Sequence, residues 1–152
     1  MAEPELFEIL IDPDPRLREI SSPVVDFDES LKHFIISMFY TMNENDGIGL
    51  AAPQIGLHKR LLVTNVPGEV AKYFINPEII ATKGSQKQQE GCLSIPNTFG
   101  YPVTKRYKSI RLKYQDISGD EYVQEFDGLE AVCIQHEIDH LDGKLFTDGG
   151  IS

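Results

Sequence analysis

Toward its C-terminal end the chain reads Gln135-His136-Glu137-Ile138-Asp139-His140, a His-Glu-x-x-His arrangement. At about 3.6 residues per turn, positions 136 and 140 stand one above the other on a single helix face, so two imidazoles can reach one metal ion. Glu137 then sits beside the metal, where a carboxylate can take a proton from a metal-bound water, as in metal-dependent hydrolases. A catalytic site of this kind keeps three protein ligands and an open position, so a further donor is needed. Cys133 shares the helix face, but its separation from His140 corresponds to about 10.5 Å of rise, whereas ligands bound at ~2.0–2.3 Å lie within ~4 Å of one another. Cys133 is therefore read as a small buried wall residue of a pocket. Cys92, in Glu90-Gly91-Cys92-Leu93-Ser94-Ile95-Pro96, or one of the carboxylates, Glu90 among them, remains to come in from another element. Gly91 lets the backbone approach closely and Pro96 turns it away, but spacing does not choose between Cys92 and Glu90.

These residues must be held by the elements around them. The metal-bearing helix is expected over 127–142, with Asp127 as cap and Gly143 just past its end. Its apolar residues, Leu129, Val132, Cys133, Ile134, Ile138 and Leu141, fall on more than one face, so other elements surround it. A second helix is expected over 26–45, where Leu31, Phe34, Ile35, Met38, Phe39 and Met42 make one apolar stripe. Asp26 with Glu29 offers a capping box there, and Gly47 a stop. Apolar, β-branched stretches at 61–66 and 72–76 read as strands, and 81–89, rich in Lys, Gly, Ser and Gln, as an exposed loop or strand edge. Residues 109–115 and 121–126 pair through the turn at Ser118-Gly119-Asp120. The expected fold is α+β, with small, mainly antiparallel or mixed sheets packed around a central metal-bearing helix, in one domain over 1–152.

The hydrophobic content of 41% is that of a globular chain, and no apolar run approaches the ~20 residues of a membrane helix. The N-terminus is acidic where a secretory signal is basic, so a cytoplasmic or equivalent reducing compartment is expected, such as an organelle stroma or a phage-host cytoplasm. There, a metal or catalytic role for at least one of Cys92 and Cys133 outranks a disulfide. A net charge of −10 argues against nucleic-acid and anionic-membrane partners. The segment Gly47–Ala52 also fits a relaxed Gly-x-Gly-x-x-Ala dinucleotide fingerprint, but it follows a helix rather than a strand, and Pro53 interrupts what would be the next helix.

Taken together, Gly47-Ile48-Gly49-Leu50-Ala51-Ala52-Pro53-Gln54, Glu90-Gly91-Cys92-Leu93-Ser94 and Gln135–His140 resemble, in order, the three signature motifs of peptide deformylases. The resemblance covers nearly the whole chain, from Asp12-Pro13-Asp14-Pro15-Arg16-Leu17-Arg18 to Gly143-Lys144-Leu145-Phe146. It implies an enzyme that removes the formyl group from the N-terminal formyl-methionine of newly made polypeptides. By motif position it makes Cys92, His136 and His140 ligands of one divalent metal ion per chain. Iron(II) is the expected ion in the cell, and zinc, nickel or cobalt suit the same donors. It makes Glu137 the general base and then acid as metal-bound water attacks the formyl carbonyl, with the Gln54 side chain and the Leu93 amide stabilising the oxyanion. The glycines of 47–49 would permit a tight turn and close substrate approach. The substrate methionine would enter a wall of Ile48, Leu129, Val132, Cys133 and the His136 ring edge, with Gly49, Glu90 and Gly91 also at the substrate. Gln88 stands where an apolar pocket residue is common, 97–101 lack an arginine that many bacterial members carry, and the chain ends where those members continue into a further helix, which points to a viral or organellar copy. The expected partners are formyl-Met peptides and nascent polypeptides, met by free diffusion as a monomer. The first residues to suspect of any RNA contact are Lys105, Arg106 and Lys108. Two rivals remain: a small zinc endopeptidase, which requires neither Gln54 nor Cys92, and a structural metal module, in which a fourth protein ligand closes the site and Glu137 is dispensable.

Overall fold

The run Leu61-Leu62-Val63 lies in the middle of the molecule because both of its faces are covered, which is why it shows no polar alternation. It belongs to β2 (Leu61–Thr64), the second strand of a five-stranded sheet ordered β1-β2-β3-β4-β5. The others are β1 (Gly49–Ala51), β3 (Lys72–Gln89), β4 (Val103–Gln115) and β5 (Glu121–Asp127), and every neighbouring pair is antiparallel. Helix α1 (Glu29–Glu44) packs Leu31, Ile35, Met38 and Met42 against Leu50, Leu61, Val63 and Ile75. Helix α2 (Gly128–Leu141) packs Ala131, Ile134, Ile138 and Leu141 against Ala51, Leu62, Phe74, Ile110, Leu112 and Phe126. The period-2 alternation of the strands thus sends successive side chains to opposite helices. The computed structural model describes residues 3–95 and 103–148, and the architecture is α+β.

Several elements differ from the sequence expectation. The cap of α1 is Asp28, not Asp26: its backbone is extended and its side chain accepts from the Leu31 N–H at 3.0 Å, while Phe27 just before it packs against the core. At the other end Asp46, not Gly47, takes the left-handed conformation (φ 55°), and the Gly47 N–H bonds back to the Met42 carbonyl at 2.9 Å. Of the two alternatives for the polar stretch 81–89, exposed loop or strand edge, the structure has the second: it is the distal half of β3, paired with β4 along most of its length, while β2 pairs only with residues 72–75. The stretch is polar because residues 81–87 are mostly exposed. The bend lies at Asn76 (φ 51°), whose side chain bonds both the N–H and the carbonyl of Val24, where the pairing shifts register.

The ends of α2 decide where the face bearing His136 and His140 sits. Asp127 occupies the cap position but makes no side-chain capping bond. At the C-terminus Gly143 (φ 73°) closes the helix, with its N–H on the His140 carbonyl and the Lys144 N–H on that of Asp139. The Arg60 guanidinium donates to the Leu141 carbonyl at 3.1 Å and to Asp142 at 2.9 Å. A Cβ at Gly143 would lie 2.4 Å from the backbone oxygen of Arg18. Gly143→Ala is therefore expected to cost ~2 kcal/mol or more, from the left-handed backbone and this clash together. A drop in the urea midpoint measures it, and an unchanged midpoint contradicts it.

Candidate active site

Because nearly all of α2 from Glu130 to Leu141 is buried, its polar side chains are buried too: His136, Glu137 and His140 are 7%, 4% and 1% exposed. Cys92 reaches them from the turn that follows β3, where the Ile95 N–H closes on the Cys92 carbonyl at 3.0 Å. The Cys92 Sγ lies 3.4 Å from the His140 Nε2, and one donor atom from each of Cys92, His136 and His140 falls within 4.8 Å of the other two. A metal with ~2.0–2.3 Å bonds to sulfur and nitrogen fits donors at that separation. Among the described residues no fourth Cys, His, Asp or Glu donor joins them. Cys133 stays outside the cluster; its thiol points to the Ile48 carbonyl at 3.4 Å, and burial raises its pKa well above that of a free thiol, so it is an inert wall.

Glu90, which spacing alone could not separate from Cys92 as a ligand, lies behind the cluster. Its Oε1 accepts from His136 Nδ1 at 2.8 Å, which leaves Nε2 of that ring for the metal side. Arg106 holds Glu90 with two bonds, Nε to Oε2 and Nη2 to Oε1, both 2.9 Å, and Arg106 Nη1 reaches Asp139 Oδ2 at 2.5 Å. Burial works against ionised Glu90, but the bonds from His136 and Arg106 outweigh it and hold its pKa below the usual value. Arg106 is 2% exposed and bound to two carboxylates, so it is not part of an accessible basic patch. Burial also lowers the His136 pKa, yet the charge of Glu137 and the Cys92 and Glu90 partners raise it to about 10. Such anionic surroundings suit a cation. Burial and the neighbouring His136 charge push His140 down, keeping that ring neutral, as a ligand must be.

Glu137 is raised to about 7, chiefly by burial, and its Oε1 has no hydrogen-bond partner among the described residues. Facing it is Gly49, where a Cβ would lie 2.5 Å from Glu137 Oε2 and 2.7 Å from Cys133 Sγ. Gly47 likewise leaves room for Leu93, since a Cβ there would lie 2.7 Å from its Cδ1. Neither glycine has a positive φ, so both serve close packing, not a tight turn. Gly49→Ala is expected to displace the carboxylate and lower kcat/KM roughly 100-fold; activity within a factor of about two of the parent sequence contradicts this close fit.

Gln54 comes from the short turn Ala52–Ile55, and its Oε1 accepts from the Ala51 N–H at 2.9 Å. A backbone donor can bond only the oxygen end of the amide, so the Nε2 end is turned toward Ser94 Oγ (3.1 Å) and Cys92 Sγ (3.7 Å). These groups open on a cleft of about 810 Å³. Ile48, Gly49, Leu129, Val132 and Cys133 line it on the side of α2, with Glu90, Gly91 and Leu93 also at its wall. His140 lies behind the lining. Ile9, Ile11 and Ile95, with Asn45 and Asp46 at the end of α1, also line the cleft and had no role in the sequence reading. The apolar run Ile9-Leu10-Ile11 was the available signal for the first two. Residues 97–101 and the Gln88 side chain lie outside the described part.

An α+β fold that places three side chains able to hold a metal ion beside a buried carboxylate, next to an open cleft, is the arrangement of an enzyme. Residues 6–150 match the model of the polypeptide deformylase family. A peptide deformylase of Alkalilimnicola ehrlichii is 46% identical over 146 residues, covering 94% of this chain and 81% of that one. One of Heliobacterium modesticaldum is 48% identical over 143 residues, covering 94% and 93%. The crystal structure of the peptide deformylase from Thermotoga maritima superposes with a TM-score of 0.92 at 39% identity, covering 97% and 99%. The chain belongs to the polypeptide deformylase family. Because a bacterial relative matches it over 99% of that relative's length, chain length gives no ground for a viral or organellar origin. Among the described residues no helix is long and apolar enough to cross a membrane.

Proposed function

We propose that the protein hydrolyses the formamide of N-terminal formyl-methionine on nascent polypeptides, using Cys92, His136 and His140 to hold one divalent metal ion, iron(II) in the cell. The observation that carries the reading is the Cys92, His136 and His140 cluster lying beside buried Glu137, whose Oε1 has no partner among the described residues, next to the cleft. When bound, the ion supplies Lewis acidity and a water acidic enough to react near neutral pH. Glu137 accepts the proton that the attacking water gives up and returns it to the departing amine; a carboxyl group raised to about 7 is matched to both transfers. The Gln54 Nε2 and the Leu93 N–H donate to the carbonyl oxygen as it gains charge, where one held donor contributes ~3–4 kcal/mol. Ile48, Leu129, Val132 and Cys133 receive the unbranched methionine side chain, with Gly49 and Gly91 leaving room for its backbone. Glu90, at the wall of the cleft, orients His136 through its bond to Nδ1. The endopeptidase and structural-module readings gain no support: the relatives are deformylases, and no fourth donor closes the site among the described residues.

Anaerobic incubation of a formyl-Met tripeptide with protein loaded with iron(II), zinc, nickel or cobalt should release formate. No formate with any metal, or cleavage of internal peptide bonds in casein, overturns the reading. In elemental analysis Cys92→Ala is expected to lose most bound metal and Cys133→Ala to retain it. Equal loss in both contradicts the ligand set.

A further inference from the structure

The segment Glu8–Asp12, which belongs to no helix or strand, runs beside the turns that carry Gln54 and Cys92. Its Leu10 N–H bonds the Gln54 carbonyl at 2.8 Å and its Asp12 N–H the Ser94 carbonyl at 2.7 Å. Upstream, the Glu5 N–H bonds Ser37 Oγ at 2.9 Å and the Phe7 N–H bonds Thr41 Oγ1 at 3.0 Å, which ties the same strap to α1. Leu10 is buried in a small cluster with Leu17 and Leu145, whereas Ile9 and Ile11 both line the catalytic cleft. Ile95, which packs against that cluster, lines the cleft beside them. Ile11 remains 45% exposed. Two isoleucines at the edge of an open cleft, on a strap held by four backbone N–H bonds, offer apolar surface to whatever occupies the cleft.

The cleft is larger than one methionine side chain fills, and its apolar lining has two separate sources. Leu129, Val132 and Cys133 come from α2 and face Gly49 and Ile48; Ile9, Ile11 and Ile95 stand on the side bounded by Gln54 and the Cys92–Ile95 turn. We infer that the strap is a second specificity element: Ile9 and Ile11, with Ile95, form an apolar subsite that binds the side chain of a residue following formyl-methionine and makes the enzyme favour substrates with an apolar residue there. The inference rests on the deformylase reading, because it takes the formylated peptide as the occupant of the cleft. Being part of the wall that also holds the Gln54 and Ser94 carbonyls, the strap couples substrate engagement to the turns that carry Gln54 and Cys92.

The test uses full-length, metal-loaded protein and two peptide series, formyl-Met-X-Ser and formyl-Met-Ala-X, with X as Ile, Phe, Ser or Asp. In one series the apolar peptides are expected to exceed the serine peptide by roughly 10-fold in kcat/KM. In Ile9→Ser, Ile11→Ser and the double variant that ratio falls toward one, through a higher KM for the apolar peptides, while Ile11→Leu restores it. Thermal unfolding of each variant separates a lost subsite from a lost fold, and the leucine variant keeps the comparison interpretable if a serine variant unfolds. A ratio near one in the parent protein, or the same ratio in parent and serine variants, overturns the inference while leaving deformylation standing. Absence of formate release from every peptide overturns the underlying reading instead.

Discussion

Glu137→Gln is expected to keep its full metal content while turnover of a formyl-Met peptide falls at least ~100-fold. The amide has the size and shape of the carboxylate, so the cluster of Cys92, His136 and His140 is left in place. What it lacks is the ability to accept a proton and give it back. The environment of Glu137 makes this loss hard to bypass. The side chain is 4% exposed, packed against Gly49, with one oxygen unpartnered among the described residues. Bulk water therefore cannot easily reach the same position to serve as the base. Elemental analysis and single-turnover rates on the same preparation check the prediction. Near-parental turnover with full metal would remove Glu137 from the chemistry, and metal loss would make it a structural support of the ligands.

Arg106→Ala should destabilise the protein by about 3–5 kcal/mol at neutral pH, because it leaves two carboxylates without the cation between them. Glu90 would then be a buried anion held only by His136, and Asp139 would lose its 2.5 Å partner. The pH dependence has a definite sign. In the intact protein the folded-state pKa of Glu90 is depressed below its ordinary 4.5, so its contribution to stability is present above that value and lost as pH falls through the folded-state value. Without Arg106 the folded Glu90 carboxyl loses bonds that lower its pKa and binds a proton more readily, so the deficit relative to the parent sequence shrinks as pH is lowered through the carboxylate range. Urea titrations of both proteins across that range measure it. A deficit that is constant or grows toward acid contradicts the network. Arg106→Lys tests the geometry separately, since an ammonium restores charge but cannot make the paired guanidinium contact to Glu90 while reaching Asp139. It should recover part of the stability.

Gly143 and the apolar stripe of α1 show how much the order of residues reveals locally. Helix ends, the 3.6-residue stripe and the i, i+4 spacing of His136 and His140 depend on neighbours within two turns, so they are readable without knowing the fold. The same holds for the hairpin of β4 and β5 around Ser118–Asp120. Where two signals competed locally, the tertiary packing chose. Phe27 packs against the core, and the cap of α1 falls just after it at Asp28, not at Asp26. The polar run 81–89 contradicts a buried strand but not an exposed one, and pairing with β4 made it β3.

The metal-ligand spacing, the motifs that match deformylases and the apolar faces of both helices are properties of the amino-acid order by itself. Only the tertiary structure decided that Glu90 stands behind His136, that Arg106 is a buried clamp and not a basic surface, that Gly47 and Gly49 are there for close packing, and that Ile9 and Ile11 reach the cleft. Each of these links residues far apart in the chain: Glu90 meets His136 across 46 positions, Arg106 meets Asp139 across 33 and Glu90 across 16. No periodicity spans such distances. Their meeting follows from folding an antiparallel sheet between two helices, which brings the end of β3, the start of β4 and the inner face of α2 to one place.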